Sequence, residues 1–93
     1  MKLQILKYKY DSEETFINTQ IGKLYEELVE LKHAFEKKDN INVILESIDI
    51  IQVCISILNC YSKKLVIQCF SNHNKKIKNR KWNIVKNVYF KIK

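Results

Sequence analysis

Residues 41–58 read INVILESIDIIQVCISIL, and this stretch is the strongest indication of the fold in the sequence. At about 100° per residue, its apolar side chains form two stripes on roughly opposite sides of a helix. One stripe contains Ile44, Ile48, Ile51, Ile55 and Leu58, and the other contains Ile50, Val53, Cys54 and Ile57. A helix that is apolar on two sides is typical of a buried position. The sequence therefore predicts that this helix lies inside a helical bundle.

Two acidic residues, Glu46 and Asp49, interrupt this apolar helix. Because they are three positions apart, their side chains lie about one turn apart on the same face. An unpaired carboxylate inside a helical bundle is costly, so something positive must offset these two charges. A bound cation would do so.

A second acidic pattern, Glu26-Glu27-Leu28-Val29-Glu30, lies on the preceding predicted helix. The core stripe of that helix is predicted to be Leu24, Leu28, Leu31 and Phe35. Glu27 and Glu30 flank this stripe, whereas Glu26 points away from it. On its own, such an acidic string is most often a solvated helix face, and only the second pattern raises the chance of a site.

If the two helices pack antiparallel, Glu27 and Glu30 converge with Glu46 and Asp49. These four carboxylates are the predicted metal ligands. Hard oxygen ligands favour Mg²⁺, with Mn²⁺ as the other candidate. Glu26 is predicted to lie either next to the ligands or on the surface.

The two patterns at this spacing resemble the signature of the MazG-like, all-α nucleoside triphosphate pyrophosphohydrolases, which is EExxE followed by ExxD. Lys23-Leu24-Tyr25 leads into the first pattern. Residues 73–82, HNKKIKNRKW, are similar to the His…Lys-x-x-x-Arg-Gly-Trp stretch of many small members. Lys81 stands where those members often have Gly. The resemblance covers about residues 16–82.

The resemblance implies a Mg²⁺-dependent enzyme that cleaves a (d)NTP to a (d)NMP and pyrophosphate. The four predicted ligands would hold the metal, and Glu26 is the candidate catalytic residue of the signature. It also implies a homo-oligomeric helical bundle of the MazG-like type, a homodimer or homotetramer, because one copy of this chain offers too few helices to enclose a nucleotide. The preferred base and sugar stay open.

Phosphate contacts are predicted at Lys76 and Arg80, an i,i+4 pair, because the guanidinium fork of Arg matches phosphate oxygens. Lys23, one turn before Glu27, is the third candidate. With one glycine in the chain, there is no glycine-rich phosphate loop. Any binding of a triphosphate must therefore depend on the metal and on Lys or Arg.

The chain has no Pro and one Gly, Gly22, and no long alternating pattern, which predicts an all-α fold. We expect one domain over residues 1–93, with a core of about 12–82 and a basic C-terminal segment, 75–93. A first helix is predicted from the N-cap candidates Asp11 and Ser12 to about 37, and a turn at 37–40 leads into a second helix that ends at about 59. A third helix is predicted to include 65–70, with 71–74 as a candidate interruption. A short amphipathic helix is expected around Trp82, Val85 and Tyr89.

Charge is distributed unevenly along the chain. Residues 1–10 carry +3, residues 11–49 carry −6 and residues 50–93 carry +10. An acidic part for metal and a basic part for phosphate would suit a nucleotide–metal complex. The same asymmetry suits a small nucleic-acid-binding protein that uses residues 75–93. A non-catalytic helical interaction protein is the further alternative.

A cytoplasmic protein without a membrane partner is expected. No signal peptide is visible, and the longest uninterrupted apolar runs are too short for a bilayer, because extension reaches Glu46 and Asp49. The cysteines lack metal-binding spacing and are predicted to be small buried residues: Cys54, Cys60 and Cys69.

Overall fold

The computed structural model describes residues 2–5, 13–80 and 86–89. Within them the chain forms three α-helices, α1 (Glu13–Glu36), α2 (Asn40–Leu58) and α3 (Lys63–Asn79), and no strand. The all-α prediction is confirmed for this part of the chain. The MazG-like type and the homo-oligomeric assembly stay predictions.

The chain divides into two compact units, Met1–Cys60 and Tyr61–Lys93. The first unit contains α1 and α2, which pack against each other as a helical hairpin. It also contains the N-terminal residues 2–5, which contact α2 where the Gln52 side-chain amide donates to the Gln4 carbonyl (2.9 Å). The second unit contains α3. The single domain over 1–93 stays a prediction.

A tight turn joins α1 to α2 and makes them antiparallel. The Asp39 amide donates to the Ala34 carbonyl (3.0 Å) and the Lys38 amide to the Phe35 carbonyl (3.1 Å), the hydrogen bonds of a Schellman motif. Lys38 takes the left-handed position of this motif, with φ 58°. Asp39 then caps α2, because its side chain accepts from the Asn42 amide (3.2 Å). The turn therefore ends one helix and begins the next within three residues.

The face of α1 that packs on α2 differs from the predicted core stripe. Gln20 and Ala34 are buried, and Leu24 and Leu31 are half-buried, but Leu28 is 46% and Phe35 73% exposed. The prediction was wrong for Leu28 and Phe35. Ala34 is the buried position at the end of α1 next to the turn, and Phe35, about 100° further around the helix, faces solvent.

α1 covers only one side of α2. Val53 and Ser56 are buried. Of the opposite stripe, Ile55 and Leu58 are half-buried, whereas Ile44 is 59%, Ile48 41% and Ile51 47% exposed. The prediction that α2 is buried on both sides is therefore wrong for the described part of the single chain, since a hairpin offers α2 one neighbouring helix. The cysteines also differ from prediction: Cys54 and Cys69 are exposed, and Cys60 is half-buried.

By length and composition, α2 also meets the requirements of a membrane-crossing helix. Of the 18-residue stretch of α2 that meets them, 11% is buried. The sequence-based expectation that no stretch fits a bilayer thus does not hold by these two criteria, although Glu46 and Asp49 lie within the helix. One such helix is weak evidence, because core helices of soluble proteins have the same length and composition. The cytoplasmic location stays a prediction.

The helix α3 begins where the Ser62 hydroxyl accepts a hydrogen bond from the Leu65 amide (3.3 Å). It continues without a break to Asn79, so the expected interruption at 71–74 does not occur. Asp11 and Ser12, the predicted start of α1, lie outside the described residues, as do Trp82 and Val85. Residues 86–89 are described and are not helical.

Candidate metal centre

The hairpin brings together three of the predicted metal ligands. Glu27 lies near the middle of α1, seven residues from each of the two buried positions Gln20 and Ala34, on the line that faces α2. Glu46 and Asp49 lie one turn apart on α2. One carboxylate oxygen from each of Glu27, Glu46 and Asp49 lies within 4.8 Å of the other two. We call these three residues the acidic cluster.

Two oxygens of the cluster are buried and lack a hydrogen-bond partner among the described residues. They are Oε2 of Glu27 and Oε2 of Glu46. An ionised carboxylate has no proton to donate, so two carboxylates that face each other cannot satisfy one another. Buried polar atoms are rarely left unsatisfied, and each such atom calls for a proton, a water molecule or an ion.

The pKa of Glu46 reflects the same crowding of carboxylates. Its pKa is raised from 4.5 to about 7, first because only the protonated carboxyl can donate a hydrogen bond to the Glu27 side chain, and then because of burial. The same ability to donate to Glu30, and the negative charges of Glu30 and Glu27, raise the pKa further. Without a cation, the site therefore tends to hold a proton near neutral pH.

The other two acids of the first pattern occupy the edge and the outside of the site. Glu30, the fourth predicted ligand, is exposed and lies close enough to Glu46 to raise its pKa, but it is not one of the three clustered residues. Glu26 is exposed and also lies outside the cluster. The structure thus separates a set of three acids from a fourth at its edge.

The predicted phosphate ligands are distributed over both units. Lys23 is exposed on α1, one turn before Glu27. Lys76 is exposed near the end of α3, and Arg80 is the C-cap residue of that helix, where its amide donates to the Lys76 carbonyl (3.1 Å). The role of all three residues stays a prediction.

The donor set of the acidic cluster fits a hard divalent cation. Three carboxylates supply oxygen ligands only, and they concentrate negative charge at one point of the hairpin. Two of their oxygens are buried and unpaired, as described above, which is the arrangement that a cation satisfies. Mg²⁺ and Mn²⁺ both accept such ligands, and the cluster does not choose between them.

The sequence patterns predicted the residues of the cluster, but they predicted Glu27 at the edge of the contact between α1 and α2. In the structure Glu27 lies in line with the buried Gln20 and Ala34, at the centre of that contact. Gln20, Glu27 and Ala34 recur every seven residues on α1, and Glu46 and Val53 are likewise seven residues apart on α2. Side chains seven apart lie almost in line along a helix, so this spacing was the available signal. It was missed because Gln20 and Glu27 are polar and the apolar stripe drew the prediction toward Leu28.

Comparison of the chain with protein-family models, with curated proteins and with solved structures finds no match. The acidic cluster and the two acidic sequence patterns are therefore the features of the chain that point to a function.

Proposed function

We propose that the chain is a Mg²⁺-dependent nucleoside triphosphate pyrophosphohydrolase of the MazG-like type. The observation that carries this proposal is the acidic cluster, in which three carboxylates converge within 4.8 Å from two antiparallel helices. The residues of the cluster belong to the two sequence patterns, EExxE and ExxD, whose spacing resembles the signature of that family. The reaction is attack of water on the α-phosphorus, with cleavage of the bond to the bridging oxygen and departure of pyrophosphate.

In this proposal, Glu27, Glu46 and Asp49 hold the metal, with Glu30 as a fourth ligand at the edge of the site. Bound Mg²⁺ would position the triphosphate, acidify water and neutralise the charge that develops on the phosphoryl group. The carboxyl proton of Glu46 must leave before the side chain can act as a ligand. The raised pKa of Glu46 therefore makes metal binding stronger as the pH rises toward and above 7.

Glu26 is the proposed catalytic residue, because its carboxylate is exposed and is not used by the cluster. It is available to take a proton from the attacking water. A carboxylate in this role contributes about 10²–10⁴-fold to the rate of a reaction. Metal binding itself does not need Glu26, and this separates the role of Glu26 from the role of Glu27.

Lys23, Lys76 and Arg80 are the proposed phosphate contacts. Lys23 shares α1 with the cluster and lies one turn from Glu27. Lys76 and Arg80 lie four residues apart at the end of α3 and offer an ammonium and a guanidinium group to phosphate oxygens. Substitution of these residues is expected to raise KM more than it lowers kcat, because they bind substrate before and during the reaction.

A homo-oligomer, with a dimer as the smallest unit, is part of the proposal. The described residues leave a row of large aliphatic side chains exposed on α2, on the side away from the acidic cluster: Ile41, Ile44, Ile48 and Ile51. An apolar surface of this kind marks an interaction site in a protein that stays in solution. A second copy would cover the row and bring further helices around the nucleotide.

The deciding experiment is product analysis of the pure protein with each of the eight common NTPs and dNTPs, in Mg²⁺ and in EDTA. We expect nucleoside monophosphate and pyrophosphate in Mg²⁺ from at least one substrate, and no product in EDTA. Glu46→Gln and Asp49→Asn should abolish turnover. Glu14→Gln is the matched control, because Glu14 is an exposed acid at the start of α1, outside the cluster.

Two results would contradict the proposal. Turnover that survives in both Glu46→Gln and Asp49→Asn would show that the acidic cluster is not the metal centre. Absence of turnover with all eight substrates, together with absence of Mn²⁺ binding in calorimetry, would leave a non-catalytic helical protein.

A further inference from the structure

The helix α3 carries more basic residues than the proposed hydrolase needs. Lys76 and Arg80 lie about 40° apart around the helix axis, on the flank next to the buried Val66. Three other lysines, Lys64, Lys75 and Lys78, lie on the side opposite Val66, about 100° or more from Lys76. The function proposed above gives these three lysines no role.

Five residues define this second face: Lys64, Gln68, Ser71, Lys75 and Lys78. Their spacing alternates between four and three residues, so the side chains form a nearly straight row along the helix. All five are exposed. None is acidic and none is apolar. We call this row the lysine face.

No acidic side chain close in the sequence neutralises the charge of the lysine face. No Asp or Glu occurs anywhere in residues 50–93. Lys64, Lys75 and Lys78 also form no ion pair among the residues that the structure describes. Surface lysines on a helix are commonly accompanied by glutamates at i,i+4, and here that pairing is absent.

The length of the row decides what kind of anion it fits. Lys64 and Lys78 are fourteen residues apart, which is about 21 Å at roughly 1.5 Å per residue. The three consecutive phosphates of one nucleotide cannot contact both ends of such a row. A nucleic-acid duplex can, because it carries one negative charge per roughly 1.7 Å of helix axis.

We propose that the lysine face of α3 binds the phosphate backbone of duplex nucleic acid. Gln68 and Ser71 lie between the lysines and add neutral donors of the kind that contact phosphate oxygens. The exposed apolar residues Leu65 and Ile67 also lie on α3, so binding to vesicles is tested beside binding to the duplex. The lysine face itself contains no apolar residue. It also has no aromatic residue on which the bases of a single strand would stack. Because the proposed contacts are to phosphates and not to bases, the binding is independent of base sequence.

The test is fluorescence anisotropy with a fluorescein-labelled 20-base-pair DNA duplex at 50 to 200 mM NaCl. EDTA is present throughout, so that the metal centre plays no part and the result is independent of the proposed hydrolase. The triple variant K64Q/K75Q/K78Q removes three phosphate contacts. It should lower the slope of log affinity against log salt by about 2–3, since each contact contributes about 0.9.

The matched control is K2Q/K32Q/K37Q, which removes the same net charge from exposed positions outside α3. It should leave the slope unchanged. Because Gln is a good helix former, helicity measured by circular dichroism should be preserved in both variants. If the triple variant nevertheless unfolds, K75Q alone should lower the slope by about 0.9.

Three results would overturn the proposal. The triple variant could keep the affinity and slope of the parent protein. The control could lose as much as the triple variant, which would show an effect of net charge alone. The parent protein could fail to bind the duplex at 50 mM NaCl but bind vesicles of phosphatidylcholine and phosphatidylserine through the same lysines, which would make the face a membrane contact.

Discussion

Replacement of Glu46 by Gln tests the electrostatics of the acidic cluster without a substrate. The folded-state pKa of Glu46 is raised from 4.5 to about 7, so the metal-free folded protein binds this proton more tightly than the unfolded chain does. The stabilising contribution is fully present below about pH 4.5 and is lost as the pH rises through about 7. Gln has nearly the same shape as a protonated Glu and does not titrate. It can also donate a hydrogen bond to the Glu27 carboxylate.

Thermal unfolding in EDTA from pH 5 to pH 8 measures this effect. We expect the Tm of the parent protein to fall across the range and that of Glu46→Gln to change less. The two proteins should have similar Tm values at pH 5, and the variant should be the more stable one at pH 8. Glu14→Gln, which changes an exposed acid outside the cluster, should follow the parent protein at every pH.

Calorimetry with Mn²⁺ measures the same proton directly. From a pKa of about 7, metal binding should release about half a proton from Glu46 at pH 7 and about nine-tenths at pH 6. The released proton is obtained from the heat of binding in two buffers of different protonation enthalpy. Glu46→Gln should release none from this site. Mn²⁺ binding to the parent protein without proton release, or an equal pH dependence in parent and variant, would show that Glu46 does not hold this proton.

Three further predictions concern catalysis, assembly and the turn. Glu26→Gln should lower kcat by about 10²–10⁴-fold with unchanged Mn²⁺ affinity; loss of Mn²⁺ binding instead would make Glu26 a ligand. The double change Ile44→Lys and Ile48→Lys should convert a dimer or tetramer to a monomer in size-exclusion chromatography with light scattering, and an unchanged mass would place the interface elsewhere. Lys38→Gly should stabilise the protein by about 0.5–1 kcal/mol, which raises the Tm by about 2–8 °C, because Gly adopts φ 58° without strain. Lys37→Gly, one residue earlier, should not stabilise it.

The candidate site was largely predictable from sequence because its residues are local in the chain. Glu46 and Asp49 are one turn apart on any helix, and a short polar turn after α1 makes two neighbouring helices antiparallel. Glu30 was harder to place. A side chain that flanks a helix contact reaches either the contact or the solvent, and a rotation of the helix by a few tens of degrees decides between them.

Sequence alone accounts for the helical character of the described residues and for the i,i+3 spacing of the acids on each helix. The absence of Pro, the single Gly22 and the helical period of the apolar residues are local properties, and local backbone preferences respond to them. Which helix faces meet depends on tertiary packing. Packing of α1 on α2 selected the line of Gln20, Glu27 and Ala34 and left Leu28 and Phe35 exposed, because close packing depends on side-chain volume across the contact as well as on hydrophobicity. The same packing placed Glu27 against Glu46 and created the buried, unpaired oxygens on which the proposed metal centre depends.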